Sequence, residues 1–176
     1  MARPIQDALI AQYEASLRML NSCIELCPQP RWREHVVQMT YDQVVFHTLF
    51  FTDVYLGHTL DEVKQQDFHI RYAETFADYE EVGGGLQQAH YDKPFVVEYL
   101  EHCRDKAKRV LAEETEADLN AQPGFEWLKF TRLEAHLYNV RHIQHHTGAL
   151  SILVHGHTKA WIPWAGSGWG LPAKRS

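Results

Sequence analysis

Residues 136–153 read HLYNVRHIQHHTGALSIL, and this stretch decides the fold and supplies the first candidate site. At about 100° per residue, its apolar side chains fall on one side of an α-helix. His142 and His146 are one helical turn apart, so their imidazoles project from the same face at an offset of about 40°. The same face carries the apolar residues Ala135, Ile143, Ala149, Leu150 and Leu153.

Two histidines at this spacing are either a metal-binding pair or two core residues. The chain contains twelve histidines, and a chain so rich in histidine is expected to hold about one such pair by chance. A neutral imidazole in a core also needs a hydrogen-bond partner, because burying it without one costs about 1–3 kcal/mol. The pair becomes informative only if a third ligand comes from elsewhere in the chain.

The composition is that of an ordinary globular protein. A length of 176 residues favours one domain spanning 1–176, with 45% hydrophobic and 23% charged residues. The net charge of −6 and the lack of a basic stripe argue against a nucleic-acid partner. No apolar run approaches the roughly 18 residues of a membrane span. Charges at Arg3, Asp7 and Glu14 interrupt any signal peptide, so we expect a cytoplasmic protein that does not bind membranes.

Amphipathic segments predict an all-α protein built as a four-helix bundle. The first helix is predicted over 4–26, because Cys27-Pro28-Gln29-Pro30 would end it. The second helix is predicted over 33–57, with His47 at the centre of an apolar stripe that includes Val36, Val37 and Phe51. A lone histidine on an apolar face is either a hydrogen-bonded core residue or a ligand.

The third helix is predicted from Asp92 to about Asp118, and the fourth from the 125–131 region to about His155. Residues 58–91 lose the helical period and contain three consecutive glycines at 83–85, so they are predicted to form a long crossover connector. After Gly156 the chain has an aromatic C-terminal tail. We expect Trp161 and Trp164 in this tail to pack over the bundle.

If the second and fourth helices face each other, His47, His142 and His146 supply three neutral nitrogen donors. Three protein ligands leave a position open, which is typical of catalytic zinc sites. An all-imidazole set also suits nickel, iron or manganese, so the identity of the divalent metal stays open. Without a carboxylate the site would keep a charge of about +2, which lowers the pKa of bound water or stabilises a thiolate.

Two further polar side chains of the fourth helix are candidates for lining this site. Asn139 projects about 20° and His136 about 80° from His146, so both can border the open metal position. For His136 a hydrogen bond in the core is the alternative. Neither Asp53 nor Glu134 points toward the stripe, so the sequence identifies no general base and no catalytic residue beyond the metal ligands.

These residues resemble the DinB/YfiT-like metalloenzymes of the DinB superfamily. The resemblance consists of a core histidine on the second helix and the run HIQHHTG at 142–148, which matches the family's HxxHHxG, and it covers nearly the whole chain. It places the ligand triad on His47, His142 and His146. It also implies an up-down-down-up bundle and a homodimer.

Members with assigned chemistry include metal-dependent S-transferases that use low-molecular-weight thiols, and a thiol-dependent isomerase. The resemblance therefore implies a metal-dependent enzyme that activates a thiol or water for transfer to a small-molecule electrophile. Such families often carry arginine between the last histidine and the glycine, whereas this chain has Thr147. Because of this difference, the resemblance does not assign the family's substrates to this chain. A metal-dependent hydrolase, a non-catalytic metal-binding or stress-response module, and a purely structural bundle are the alternatives.

Overall fold

The computed structural model describes residues 3–76 and 89–170, and it is predominantly helical with one small two-stranded sheet. The mostly helical class predicted from the sequence is confirmed. A short 3₁₀ helix at Gln29–Arg31 precedes the hairpin. In chain order the other elements are α1 (Pro4–Leu26), β1 (His35–Val36), β2 (Met39–Thr40), α2 (Tyr41–Leu56), α3 (Leu60–Lys64), α4 (Asp67–Arg71), α5 (Lys93–Glu113), α6 (Glu116–Asn120) and α7 (Arg132–Thr158).

The four long helices enclose the core, and α1 and α2 each pack against both α5 and α7. Helix α2 is the most enclosed of them, because every one of its residues is buried except His47 and Phe51. Its buried residues include the polar Thr48, Thr52 and Asp53 beside the apolar ones, so the helix has no separate polar face toward solvent. The two half-buried residues mark the one side on which α2 approaches the surface.

The first helix has the predicted bounds, but the second begins eight residues later than predicted. A capping box fixes its start. The Thr40 N–H donates to the Gln43 side chain, and the Thr40 side chain accepts from the Gln43 N–H. Residues 35–40 form an antiparallel hairpin in which His35 pairs with Thr40 and Val36 with Met39. The prediction was wrong because the two valines at 36 and 37 fit a helical stripe equally well.

The third predicted helix ends at Glu113 rather than near Asp118. Glu114 is extended (ψ 131), and Thr115 then caps the separate short helix α6 by accepting a hydrogen bond from the Asp118 N–H. The fourth helix begins after its N-cap Thr131, whose side chain accepts from the Glu134 N–H. It runs three residues past the predicted end.

The C-terminal tail packs differently from the prediction. Trp161 and Trp164 are 70% and 68% exposed, although the Trp161 ring stacks on His155 at 3.7 Å between centroids. Instead, Trp169 contacts the core, and the Gly168 N–H donates to the carbonyl of Ala11 at 2.9 Å. The last described residues of the tail thus pack against α1.

The connector between α2 and α5 contains the short helices α3 and α4, consistent with a connection that holds small extra elements. The glycine run at 83–85 lies outside the described residues. None of the described helices combines the length and the apolar character that crossing a membrane requires.

Candidate metal centre

Three imidazoles from two helices converge at the half-buried side of α2. His47 comes from the middle of α2, and His142 and His146 come from successive turns of α7. One ring nitrogen of each residue lies within 4.8 Å of the others, and the Nε2 atoms of His47 and His142 are 3.3 Å apart. The structure thus brings together the three residues that the sequence singled out as a ligand set.

The spacing of the His47 and His142 donors fits a single metal ion. Two nitrogens held at about 2.0–2.1 Å from one tetrahedral zinc ion lie about 3.3 Å apart. The separation of the His47 and His142 nitrogens equals this edge. The Nδ1 atom of His142 is buried and has no hydrogen-bond partner among the described residues, so the polar contact of this ring is the one between its Nε2 atom and His47.

The surroundings keep two of these rings neutral. Burial, reinforced by the charges that the neighbouring histidines would carry, lowers the pKa of His142 to about 3. Burial and the same neighbours lower the pKa of His146 to about 4. Neutral imidazoles keep a lone pair for a metal, so protons do not compete for these two nitrogens at neutral pH.

The imidazoles form the floor of a pocket of about 210 Å³. Its remaining walls are Phe51, Tyr55 and Tyr138. The two tyrosines were not predicted, although their helical spacing indicates them. Phe51 and Tyr55 follow His47 by one and two turns, and Tyr138 precedes His142 by one turn. Every residue that lines the pocket carries a ring.

Asn139 and His136 are not among the residues that line this pocket. Asn139 is fully buried, and its amide donates to the carbonyl of Thr52 at 3.0 Å. His136 bridges the Tyr13 hydroxyl (3.1 Å) and the Glu114 carboxylate (2.8 Å), which corresponds to the alternative of a core hydrogen bond. Both residues are therefore engaged by neighbouring helices in the core rather than by the pocket.

A buried arginine that was not predicted as a structural residue binds the end of α2. The Arg132 guanidinium donates to the carbonyls of Tyr55, Leu56 and Gly57 at 2.7–3.0 Å, and its Nε donates to Glu114 at 2.7 Å. Burial raises the pKa of Glu114, but the His136 hydrogen bond and the Arg132 charge outweigh burial and leave it lowered. The carboxylate therefore stays charged as the partner of the guanidinium.

Asp53 lies on the opposite side of α2 from the imidazoles and is completely buried. Its carboxylate accepts hydrogen bonds from Lys106, His69 at 2.5 Å and Tyr99 at 3.0 Å. Burial alone raises the pKa of Asp53, but the Lys106 charge and the two neighbouring histidines hold it well below its usual value. Asp53 thus belongs to a buried ionic cluster and not to the pocket, in line with its expected orientation.

Comparison with known proteins gives one match. A family model described as the DinB superfamily matches residues 12–150, which include all three histidines of the cluster. No match was found among the curated proteins or among the solved structures. Since the matched segment covers most of the sequence and contains the elements that build the pocket, the chain belongs to the DinB superfamily.

Proposed function

We propose that His47, His142 and His146 hold a divalent transition metal and that the pocket above them serves a metal-dependent transfer reaction. The observation that carries the proposal is that one nitrogen from each of three imidazoles lies within 4.8 Å of the others in the lining of one pocket. A metal bound there would act as a Lewis acid that lowers the pKa of a bound low-molecular-weight thiol or water. The nucleophile formed in this way would attack a small electrophile.

The residues of the chain contribute position and environment. Helices α2 and α7 fix the rings of the three histidines on facing surfaces, so that little ordering is needed when the metal binds. Phe51 closes one side of the pocket and contacts both His47 (4.9 Å between ring centroids) and His142 (5.9 Å). This apolar wall shields one side of the donors from water, which strengthens electrostatic interactions there.

We also infer that the four long helices form an up-down-down-up bundle. Tyr13 contacts His136 and Cys23 contacts Thr147, which is the order expected of parallel helices α1 and α7. The contacts of α2 run in reverse order along α7, since Thr52 meets Asn139 and His47 meets His142. Contacts of Leu49 with Cys103 and of Asp53 with Lys106 indicate that α2 and α5 are parallel, which requires a crossover between them.

Metal content tests the first half of the proposal. Protein purified without a histidine tag is expected to bind about one divalent ion per chain, and His47→Ala or His142→Ala is expected to weaken binding by at least about 100-fold. His145→Ala is the matched control, because His145 is exposed and adjacent to His146 yet outside the cluster. Equal loss of metal in His145→Ala would contradict the assignment of the ligands.

Turnover tests the second half. Metal-loaded protein is expected to consume a model electrophile in the presence of a low-molecular-weight thiol, and His142→Ala is expected to abolish this consumption. Hydrolysis of small esters or amides without a thiol would instead identify water as the nucleophile. Stoichiometric metal with neither activity would favour a non-catalytic metal-binding module.

A further inference from the structure

Two tyrosines line the pocket together with the imidazoles and Phe51. Among the residues that line the pocket, only Tyr55 and Tyr138 offer polar atoms besides the three histidines. Their rings meet edge to face at 5.4 Å between centroids, and Tyr55 also packs against Phe51 at 5.5 Å. The pocket therefore has a floor of nitrogen donors, an apolar side and a pair of phenol groups.

Both phenols are held in place before any ligand arrives. Tyr55 is only 6% exposed, and its backbone carbonyl accepts a hydrogen bond from the buried Arg132 guanidinium at 2.7 Å. The Tyr138 ring packs against Phe130 at 5.8 Å, and the guanidinium of Arg141 lies 5.3 Å from its centroid on α7. Side chains fixed in this way lose little conformational entropy when they bind a ligand.

The walls also restrict what can enter. The volume of about 210 Å³ is below the roughly 300–1,000 Å³ of pockets that hold drug-sized ligands. None of the six lining residues is an aspartate, glutamate, lysine or arginine, so a charged group buried against the wall would have no ion-pair partner there. Flat aromatic walls favour a planar group over a bulky one.

We propose that Tyr55 and Tyr138, whose hydroxyls hydrogen-bond to each other, are positioning residues for a small, planar, uncharged ligand whose other end faces the three histidines. One phenol donates to the other, and the second phenol donates to an acceptor oxygen of the ligand, so loss of either hydroxyl breaks the arrangement. This inference rests on the proposed function, because the ligand spans from the histidine cluster to the phenols. It defines the substrate class as compact molecules with a metal-binding atom at one end and a carbonyl or similar oxygen at the other.

A binding cycle tests the inference without any turnover. Cobalt-loaded protein is titrated with 4-mercaptobenzamide and 4-methylbenzenethiol, and with the shorter pair 2-mercaptoacetamide and propanethiol. Binding is followed by the near-ultraviolet band of thiolate coordinated to cobalt, and the thiol proton is released to the buffer. In each pair only the amide offers an acceptor oxygen. The quantity of interest is the ratio of the two dissociation constants within a pair.

Loss of either phenol hydroxyl is expected to reduce the preference for the amide by about fivefold to tenfold in at least one pair. The variants are Tyr55→Phe and Tyr138→Phe, and each must keep its cobalt stoichiometry and its thermal midpoint. Tyr72→Phe is the control, because the Tyr72 hydroxyl bonds to Glu98 away from the pocket, and its ratio is expected to stay at the wild-type value.

The two levels of failure can be distinguished. Unchanged ratios in both tyrosine variants, for both pairs and with cobalt bound, would overturn the role of the phenols and leave the metal site standing. Wild-type protein that binds no cobalt would overturn the metal site and this inference together. A ratio that falls in Tyr72→Phe as much as in the pocket variants would also refute a specific role for Tyr55 and Tyr138.

Discussion

Arg132 is a single buried residue that connects the end of α2 to Glu114. Its guanidinium occupies the C-terminal end of α2, where the last carbonyls of a helix have no partner within the helix. A cation is also favoured there by the helix dipole. Glu114 neutralises the charge from the other side at 2.7 Å. The result is a fixed end of α2, from which Tyr55 extends into the pocket.

Removing this guanidinium is expected to be costly. Arg132→Met leaves three carbonyls without their donor and the Glu114 carboxylate with His136 but without its cation, so we expect a loss of about 3–5 kcal/mol in the free energy of unfolding. Arg109→Met, at an exposed position of α5, should change it by less than about 0.5 kcal/mol. Urea denaturation followed by circular dichroism measures both. Similar small effects of the two substitutions would show that the buried network contributes little.

The low pKa of His142 predicts how the metal-free protein responds to acid. Its folded-state pKa of about 3 lies below the roughly 6.5 of an unfolded chain, so the unfolded state binds more protons between these values. Stability is therefore lost as the pH falls below about 6.5, at a slope of up to about 1.4 kcal/mol per pH unit.

His142→Gln should remove this component. In the presence of a chelator, the stability of the variant is expected to depend less steeply on pH between 6.5 and 4 than that of the wild type. Denaturant titrations at several pH values give the two slopes. Parallel slopes would mean that burial does not lower the pKa of His142 in the folded protein.

Some of the site was predictable at this scale and some was not. The three histidines could be found because each lies at a helical position set by its own local sequence. Tyr138 was not predicted although it lies one turn before His142, because tyrosine is not among the usual metal-binding residue types. Arg132 could not have been found, because its partners are backbone carbonyls of a segment more than 70 residues away.

At the scale of elements, the hairpin before α2 explains why the second helix was predicted too long. The capping box of Thr40 and Gln43 was visible in the sequence, and it outweighed the apolar period of the preceding residues. Val37 sits at the tip of the hairpin with φ 62 and is 92% exposed. A branched side chain in the left-handed region is strained, so this residue fits its position poorly.

Relief of this strain is expected to stabilise the protein. Asparagine tolerates the left-handed region, so Val37→Asn should raise the free energy of unfolding by about 0.5–1 kcal/mol. The neighbouring turn residue Gln38, which does not have a positive φ, supplies the control Gln38→Asn, with an expected change of less than about 0.5 kcal/mol. A thermal midpoint that falls in Val37→Asn would show that the valine makes a favourable contact instead.

At the scale of the whole molecule, α2 separates two different kinds of chemistry. One side carries His47 and the pocket, and the other carries Asp53 with its buried ionic partners. The general class of the fold followed from helical periodicity, but the ionic cluster did not, because His69 reaches Asp53 from the connector helix α4 and Lys106 reaches it from α5. Homodimerisation, which the resemblance implied, stays a prediction that sedimentation equilibrium can test.

This separation predicts that the ionic cluster and the metal site can be damaged independently. Asp53→Asn leaves the buried Lys106 without its anion and should cost about 3–5 kcal/mol in stability. Because the depressed pKa of Asp53 stabilises the fold above the unfolded value of about 3.9, this contribution in the wild type is lost as the pH falls further. Metal stoichiometry of the folded variant should equal that of the wild type. A proportional loss of metal would mean that the two sides of α2 are coupled.

The central claim is that three imidazole rings share one cation, and X-ray absorption at the edge of the bound metal tests it most directly. Zinc-loaded protein purified without a tag is expected to show a nitrogen or oxygen shell at about 2.0–2.1 Å with the outer-shell scattering of three imidazoles, and His47→Ala should remove the imidazole of that residue from the pattern. A sulfur shell at about 2.3 Å, or a wild-type spectrum without imidazole scattering, would contradict the account.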